Sequence, residues 1–270
     1  MLERVVGTAP YFLIAAVRCF AILMTLPLFS MRTISRSAKL ALTFYMAYII
    51  LPHLQYELYS PYIGNNGAFS IDYILLIIGE GFIGIIIGFY INIIFSAFST
   101  AGQFFAFQMG FSASEVYDSL SQVENPLMGQ FFNLIALLIF LNNHWAQKLF
   151  TNGLISSFET LNVFKLLLEA GRERLIVFML SGLTKLFADA FIIALPIMGT
   201  LFLVTVTTGI LSKAAPQMNL LSEGFPIMIL FAFFIITSVL GVLCDFFIES
   251  FAQGFQRIQD LFAFYRGGVL

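Results

Sequence analysis

Charged side chains are scarce in this chain of 270 residues, in which Asp, Glu, Lys and Arg together make up 10% of the positions. Hydrophobic residues make up 60%, well above the apolar share of a soluble globular domain. The composition therefore predicts an integral membrane protein. The 13 basic residues are scattered and the net charge is -2, which excludes the concentrated basic surface of a nucleic-acid-binding protein.

Histidine and cysteine are also rare, with two of each. His53 and His144 form no zinc-protease motif, no P-loop is present, and residues 110–114 miss the nucleophile elbow G-x-S-x-G at its last position. We therefore expect neither an enzyme nor a cofactor or metal site. Cys19 and Cys244 lie inside apolar runs and are expected to be small buried hydrophobes.

Long apolar runs predict an all-α polytopic membrane protein of about six long, broken or hairpin helices. The runs cover residues 9–29, 40–52, 73–110, 127–141, 175–211 and 225–248. The first run lacks a small-residue cleavage pattern and is expected to be a retained helix. The runs at 73–110 and 175–211 are overlong, because about 40 helical residues reach roughly 60 Å, twice the hydrocarbon core. Each is expected to be a hairpin, a sharply broken helix, or a helix that does not lie simply in lipid.

The charges in the connections do not fit a simple topology. Arg32, Arg36 and Lys39 place the first connection on the cytoplasmic side by the positive-inside rule. Strict alternation of six spans then makes residues 111–126 cytoplasmic, although they contain three acids and no base, and puts the mixed segment 148–174 outside. Either the number of spans differs from six or some helices do not cross the bilayer in the normal way.

Five charged side chains inside the apolar runs are functional candidates, because such groups are costly in lipid: Arg18, Glu80, Lys185, Asp189 and Asp245. Lys185 and Asp189 stand four residues apart on one helical face, so a self-neutralising pair is the simpler interpretation. A proton or ion relay is the alternative, and it requires Glu80 or Asp245 to face the same cavity.

Two motifs carry a family resemblance. Residues 101–112 read A-G-x-x-x-x-x-Q-M-G-F-S, and residues 215–226 read A-P-Q-M-N-x-x-x-x-G-F-P. The amide side chains of Gln217 and Asn219 need protein or water partners rather than lipid, which indicates a connection shaped for packing. With these motifs the chain resembles the FliR family of type III export-gate proteins, whose virulence counterparts are the SctT proteins.

A third segment, Phe140–His144, is similar to the family's F-x-N-G-H, with Asn143 in place of Gly. Asn tolerates left-handed backbone geometry, so this departure is mild. In addition, Ser119 stands where the family often has Pro, and Glu223 occupies a usually apolar position. These two departures leave the loop conformations open.

The resemblance implies one export-gate domain over residues 1–270, with a FliP-like part over about 1–170 and a FliQ-like helical hairpin over about 171–260. It implies that one copy joins several FliP-like and FliQ-like subunits in the bacterial inner membrane, within the flagellar basal body and largely above the bilayer plane. A FlhB-like export switch protein, a FlhA-like export protein and unfolded secreted proteins are further implied partners.

The resemblance also implies roles for particular residues. The central loop, from Met109 to about Glu124, is implied to plug the secretion channel, with candidate plug residues Gln108, Met109, Gly110 and Phe111. A thioether and a large ring suit an irregular pore that sheds water, although both side chains could equally pack into neighbouring subunits. The candidate subunit-interface turn comprises Pro216, Gln217, Asn219, Gly224, Phe225 and Pro226.

Three functions are therefore open from the sequence. The first is a subunit that helps to form and plug the flagellar type III export channel, and the second is the same role in a virulence apparatus. The third is a self-contained, proton-coupled secondary transporter that uses Glu80, Lys185 and Asp189 as a relay.

Overall fold

The computed structural model describes residues 2–30, 34–63, 70–110, 127–214 and 220–267. Every regular element in these ranges is helical, which confirms the all-α prediction. The α-helices are α1 (Leu2–Thr25), α2 (Pro27–Ser30), α3 (Arg36–Ile50), α4 (Tyr56–Tyr59), α5 (Ile71–Gln108), α6 (Leu127–Asn142), α7 (Trp145–Lys148), α8 (Leu154–Thr160), α9 (Val163–Leu167), α10 (Glu169–Ala214) and α11 (Leu220–Arg266).

Four of the described helical stretches are long and apolar enough to cross a membrane: Gly7–Thr25, Ile71–Gln108, Glu169–Ala214 and Pro226–Arg266. The bent pair Leu127–Asn142 and Trp145–Thr160 makes a fifth if it is one broken span. The predicted run at 40–52 forms α3, which has only 15 residues, and a short 3₁₀ turn. This run is therefore too short to count as a span in its own right.

Both overlong runs form single helices. α5 continues for 38 residues, and α10 continues for 46 residues through Pro196. Because each run forms one continuous helix, neither contains a hairpin. α11 is similarly long, with 47 residues. At 1.5 Å per residue, α10 and α11 are each about 70 Å long, more than twice the hydrocarbon core of a bilayer. The remaining expectation, helices that do not lie simply in lipid, fits this geometry.

The chain divides into two compact units, the first made of residues 1–93, 144–182 and 253–270. In this unit α1 and α5 pack closely at Gly84, where an added Cβ would lie 2.6 Å from the backbone oxygen of Arg18. Gly88, four residues later, meets the carbonyl oxygen of Ile22 at 3.0 Å in the same way. The G-x-x-x-G pair thus serves ordinary close helix packing.

The second unit comprises residues 94–143 and 183–252. Its core is built from phenylalanine rings of three helices. The end of α5 runs antiparallel to α6, with ring centroids 5.2 Å apart for Phe95 and Phe140 and 5.0 Å apart for Phe105 and Phe132. Phe247 of α11 completes this core, 4.0 Å from the ring of Phe98. Aromatic pairs at these separations add stability beyond their buried area.

α10 and α11 also pair antiparallel. In the second unit the Ser250 hydroxyl donates to Asp189 at 2.8 Å, and the Thr205 hydroxyl lies 3.4 Å from the sulfur of Met228. In the first unit the Tyr265 hydroxyl donates to the carbonyl oxygen of Gly171 at 2.5 Å. The connection between the two helices, residues 215–219, lies outside the described residues.

The break between α6 and α7 falls at the third family-like motif. The backbone N–H and the side-chain amide of Asn143 both donate to the carbonyl oxygen of Ile139 at 3.0 Å. The left-handed residue is the following one, His144, with φ of 57°. The left-handed backbone geometry that was considered for position 143 is therefore adopted at position 144, the residue just before α7.

Candidate functional site

Arg18 and Glu80 form an ion pair in the first unit, and neither side chain is exposed. Arg18 lies in α1, and its Nε donates to Glu80 Oε2 at 2.6 Å. Its Nη2 contacts the same carboxylate oxygen. The other oxygen, Oε1, accepts a hydrogen bond from the Tyr59 hydroxyl at 3.2 Å. Both carboxylate oxygens of this buried acid are thus occupied.

The rest of the Arg18 guanidinium binds the end of α8. Nη1 donates to the carbonyl oxygen of Ser157 at 2.9 Å and to its hydroxyl at 3.4 Å, and Nη2 donates to the carbonyl oxygen of Leu161 at 3.0 Å. The ring of Phe158 lies 4.0 Å from the guanidinium carbon. All five N–H groups therefore have an acceptor. A cation is also favourable here because helix carboxyl ends carry partial negative charge.

Tyr59 lies outside the candidate spans, in α4, and is almost fully buried. Burial raises the pKa of its hydroxyl, an effect opposed by the nearby Arg18 guanidinium. The hydroxyl therefore keeps its proton and donates to the Glu80 carboxylate. The Arg18 cluster, meaning Arg18, Glu80, Tyr59 and the acceptors on Ser157 and Leu161, joins α1, α4, α5 and the end of α8.

A second cation, Lys165, binds the same end of α8. Its Nζ donates to the carbonyl oxygen of Thr160 at 3.0 Å and to that of Tyr265, near the end of α11, at 2.7 Å. Asn162 caps α9 by accepting from the N–H of Lys165 at 2.9 Å. Because Lys165 serves as a structural cap, it is a poor indicator of membrane topology, which accounts for part of the conflict in the positive-inside rule.

Lys185 and Asp189 form the expected pair within α10, in the second unit. The Lys185 Nζ lies 2.7 Å from Asp189 Oδ1, and the second carboxylate oxygen accepts from Ser250 of α11. The Asp189 side chain is 2% exposed and that of Lys185 is 30% exposed. This geometry matches a self-neutralising pair that also ties α10 to α11. Asp245, the last of the five intramembrane charges, is exposed.

The candidate plug residues begin where α5 ends. The Met109 side chain is fully buried, and its N–H donates to the carbonyl oxygen of Phe105 at 2.9 Å. Gly110 closes the helix in a left-handed conformation, with φ of 82° and an N–H bond to Phe107. Phe111 lies outside the described residues. Met109 therefore packs within its own chain, while Gly110 redirects the backbone.

Phe107 was not singled out as a candidate from the sequence. It lies in the last turn of α5 and is 74% exposed, whereas the neighbouring side chains of Phe105 and Ala106 are buried. In a helix, position 107 lies on the face opposite the buried positions, so the helical spacing of the motif could have identified Phe107 as exposed. The side chain of Gln108 is half-buried.

Close packing holds the two ends of the segment 111–126 together in the second unit. A Cβ added to Gly102 of α5 would lie 2.7 Å from the carbonyl oxygen of Met128 in α6. A Cβ on Gly129 would lie 3.0 Å from the hydroxyl of Ser99. The sixteen-residue segment therefore leaves and returns at the same end of the α5 and α6 pair.

The candidate interface turn is only partly described. Pro216, Gln217 and Asn219 lie outside the described residues, as does the side chain of Phe225. Gly224 and Pro226 lie inside α11, which begins at Leu220. The helix thus includes the second half of the motif, and the connection itself is limited to residues 215–219.

α10 and α11 present large apolar faces that the described part of the chain does not cover. In their most apolar stretches, 28% of α10 and 22% of α11 is buried, compared with 50% for α5. The strongly exposed side chains include Leu195, Phe202, Leu203, Ile210, Leu230, Phe234 and Val242. Exposed apolar surface on this scale indicates contact with lipid or with other subunits.

Comparison with known proteins finds a match over most of the chain. The family model described as bacterial export proteins, family 1, matches residues 9–254. The flagellar biosynthetic protein FliR of Bacillus subtilis (strain 168) is 28% identical over 264 residues, covering 97% of this chain and 98% of that protein. FliR of Buchnera aphidicola subsp. Baizongia pistaciae is 30% identical over 252 residues, covering 91% of this chain and 90% of that protein. The surface presentation of antigens protein SpaR of Shigella flexneri is 30% identical over 165 residues, covering 60% of each chain.

Proposed function

The chain belongs to family 1 of the bacterial export proteins, and from this membership we propose that it is a subunit of the flagellar type III export gate. The observation that carries the proposal is the match over residues 9–254, together with flagellar relatives of nearly equal length. The subunit helps to form and to plug the channel through which unfolded flagellar proteins are secreted. Its contribution is geometric, since the buried charges are used to hold helices together.

The proposed assembly places the chain in the bacterial inner membrane, in the flagellar basal body, with FliP-like and FliQ-like subunits around it. The uncovered apolar faces of α10 and α11 support this, because they need neighbours along their length. Helices of about 70 Å also extend beyond the hydrocarbon core, where lipid alone cannot cover them. A FlhB-like switch protein and a FlhA-like export protein complete the proposed set of partners.

The same proposal divides the chain into a FliP-like part over about 1–170 and a FliQ-like hairpin over about 171–260. The antiparallel pairing of α10 with α11 supports the second part. The connection at 215–219, with its two amide side chains, would then contact a neighbouring subunit. Each of these assignments rests on the shape of the helix pair and on the family resemblance.

The plug is proposed to be the segment that follows Gly110. Its ends are held at one site by the contact of Gly102 with Gly129, and the left-handed Gly110 turns the chain out of α5. Met109, just before Gly110, has the role of an anchor for the proposed plug, because its side chain is fully buried in its own chain. Phe111 is the first residue available to fill the pore. Such a seal blocks ions yet can yield to a polypeptide.

Native mass spectrometry tests the proposal. The full-length chain is co-expressed with the FliP-like and FliQ-like proteins of its source and extracted in mild detergent. A discrete complex with one copy of this chain is expected. A stable monomer or homodimer that recruits neither protein would contradict the export-gate assignment and return attention to Glu80, Lys185 and Asp189.

A virulence-type export gate is the second candidate, and the similarity to SpaR of Shigella flexneri favours it. That similarity covers 60% of each chain, whereas the similarity to FliR of Bacillus subtilis and of Buchnera aphidicola subsp. Baizongia pistaciae covers 90% or more. Complementation separates the two functions. Restoration of swimming in a strain lacking its flagellar counterpart supports the flagellar role, and restored secretion only in a virulence-apparatus mutant supports the other.

A further inference from the structure

A cavity of about 140 Å³ lies between α10 and α11 in the first unit. A cavity needs roughly 10–15 Å³ on this measure to hold one water molecule, so there is room for a group of several atoms. Its wall is formed by Arg174, Val177, Phe178, Ser181, Arg257, Asp260 and Leu261. Two arginines thus line a space whose remaining wall is largely apolar.

The two arginines are available to bind a ligand. Neither Arg174 nor Arg257 forms a hydrogen bond or an ion pair with another described residue. The Arg174 guanidinium carbon lies 5.3 Å from the ring centre of Phe264, a contact that leaves its N–H groups unused. Among the described residues of the wall Asp260 is the one carboxylate, so these residues carry a net positive charge of one. An anionic ligand is therefore favoured.

The geometry points to the phosphate of an anionic phospholipid headgroup as the occupant, and we propose this cavity as its binding site. Arginine binds phosphate oxygens through paired N–H groups, and basic pockets between membrane helices are typical sites for anionic headgroups. Val177 and Leu261 supply apolar surface for the start of an acyl chain. The Ser181 hydroxyl already donates to the carbonyl oxygen of Phe178 at 2.8 Å, so the guanidinium groups are the donors.

Lipid binding is measured by native mass spectrometry on the full-length chain in its co-purified assembly, titrated with phosphatidylglycerol. With about 1 kcal/mol per basic residue near a lipid surface, we expect Arg174→Gln and Arg257→Gln each to weaken binding about 5-fold, and the double variant about 30-fold. Arg172→Gln is the matched control, because Arg172 is exposed on α10 and does not line the cavity. Arg257→Lys keeps the charge but loses the paired N–H groups, so it is expected to bind more tightly than Arg257→Gln and more weakly than the wild type.

Two competition arms identify the source of the phosphate. Phosphatidylcholine, whose headgroup has no net charge, should bind poorly, and inorganic phosphate should fail to displace phosphatidylglycerol. Displacement by inorganic phosphate would overturn the lipid assignment in favour of a free anion. Equal phosphatidylglycerol binding by the double variant and the wild type would overturn the site itself. The same spectra report the subunit composition, so a failed lipid site remains distinguishable from a failed gate assembly.

Discussion

The Arg18 side chain reaches Glu80, 62 residues away in sequence, and both are completely buried. A buried ion pair is not by itself a source of stability, because desolvation of the two charges offsets much of their attraction. Here the remaining N–H groups of the arginine also bind two carbonyl oxygens at the end of α8. The arginine thus adds charged donors to the carbonyl oxygen of Ser157, which already accepts from the Leu161 N–H at 3.0 Å, and to that of Leu161.

Removing one charge of this pair is predicted to be costly. Glu80→Ala leaves the guanidinium buried with an unopposed charge, and we expect a loss of about 3–5 kcal/mol in unfolding free energy. Thermal unfolding of the purified chain in detergent measures it, with the exposed Asp245→Asn as control. An exchange of the two residues, Arg18→Glu with Glu80→Arg, should not restore stability, because Ser157 and Leu161 lose their donor. Full recovery by that exchange would contradict the proposed role.

Glycine at position 102 is predicted to be required for helix contact. Gly102→Ala places a methyl group against the backbone of Met128 and Gly129, and we expect about 1–3 kcal/mol of destabilisation. Gly241→Ala is the control, because a Cβ there meets nothing within 4 Å. The control should be neutral or slightly stabilising, since alanine favours helix. Equal unfolding temperatures for the two variants would show that the Gly102 contact is unimportant.

Loss of the pore-filling ring is predicted to open the channel to ions. In the assembled gate, Phe111→Ala should raise ion conductance severalfold across a planar bilayer, because a hydrophobic seal depends on excluding water. Phe82→Ala, at a 57% exposed position on α5, is the matched control and should leave conductance unchanged. Met109→Ala should instead lower stability by about 2–5 kcal/mol, as for other buried methionines. A tight seal in Phe111→Ala argues against the plug.

Lys165 is predicted to hold the end of α11. Lys165→Met removes the charged donor from the carbonyl oxygens of Thr160 and Tyr265, at a cost of about 1.5–3 kcal/mol. Hydrogen exchange should then become faster over residues 253–267. Lys148→Met is the control, because Lys148 is exposed and lies over the Trp145 ring at 4.3 Å. Unchanged hydrogen exchange in the last turns of α11 would show that Lys165 does not stabilise this helix end.

The Asp189 carboxylate distinguishes an export gate from a proton relay. Asp189→Asn keeps one oxygen that can accept from Ser250 and loses the ion pair with Lys185, so we expect nearly normal flagellar secretion and a loss of about 1–3 kcal/mol in stability. Motility and secreted flagellin measure the first, and thermal unfolding the second. If assembled gates with this variant secreted nothing, proton transfer through Asp189 would have to be reconsidered.

The helices were predictable from sequence because apolar runs of this length have few alternatives in a membrane. Whether α5 was broken was not predictable. Gly79 and Gly84 do not interrupt it, since they make room for Val163 and for the backbone of Arg18. Because these neighbours are distant in sequence, the sequence alone does not distinguish a glycine-rich run that bends a helix from one that makes room for another helix.

The charged residues of the candidate site were identifiable, but their partners were not. Arg18 and Glu80 stand out as charges in apolar runs, yet the acceptors on Ser157 and Leu161 are backbone carbonyls. Every residue has such a group, so the sequence does not indicate which ones bind Arg18. Lys165 was counted with the connecting segments, although it binds two helix ends. The plug and turn residues 111 and 215–219 lie outside the described residues, so their roles stay predictions.

The long reach of Arg18 also sets an order of events during biosynthesis. Its acceptor on Leu161 lies 143 residues further along the chain, which takes about 7–30 s to synthesise at roughly 5–20 residues per second. Until Glu80 and the end of α8 have been synthesised, the Arg18 guanidinium has none of these partners. Lipid phosphates, water or the insertion machinery must accommodate that charge in the interval.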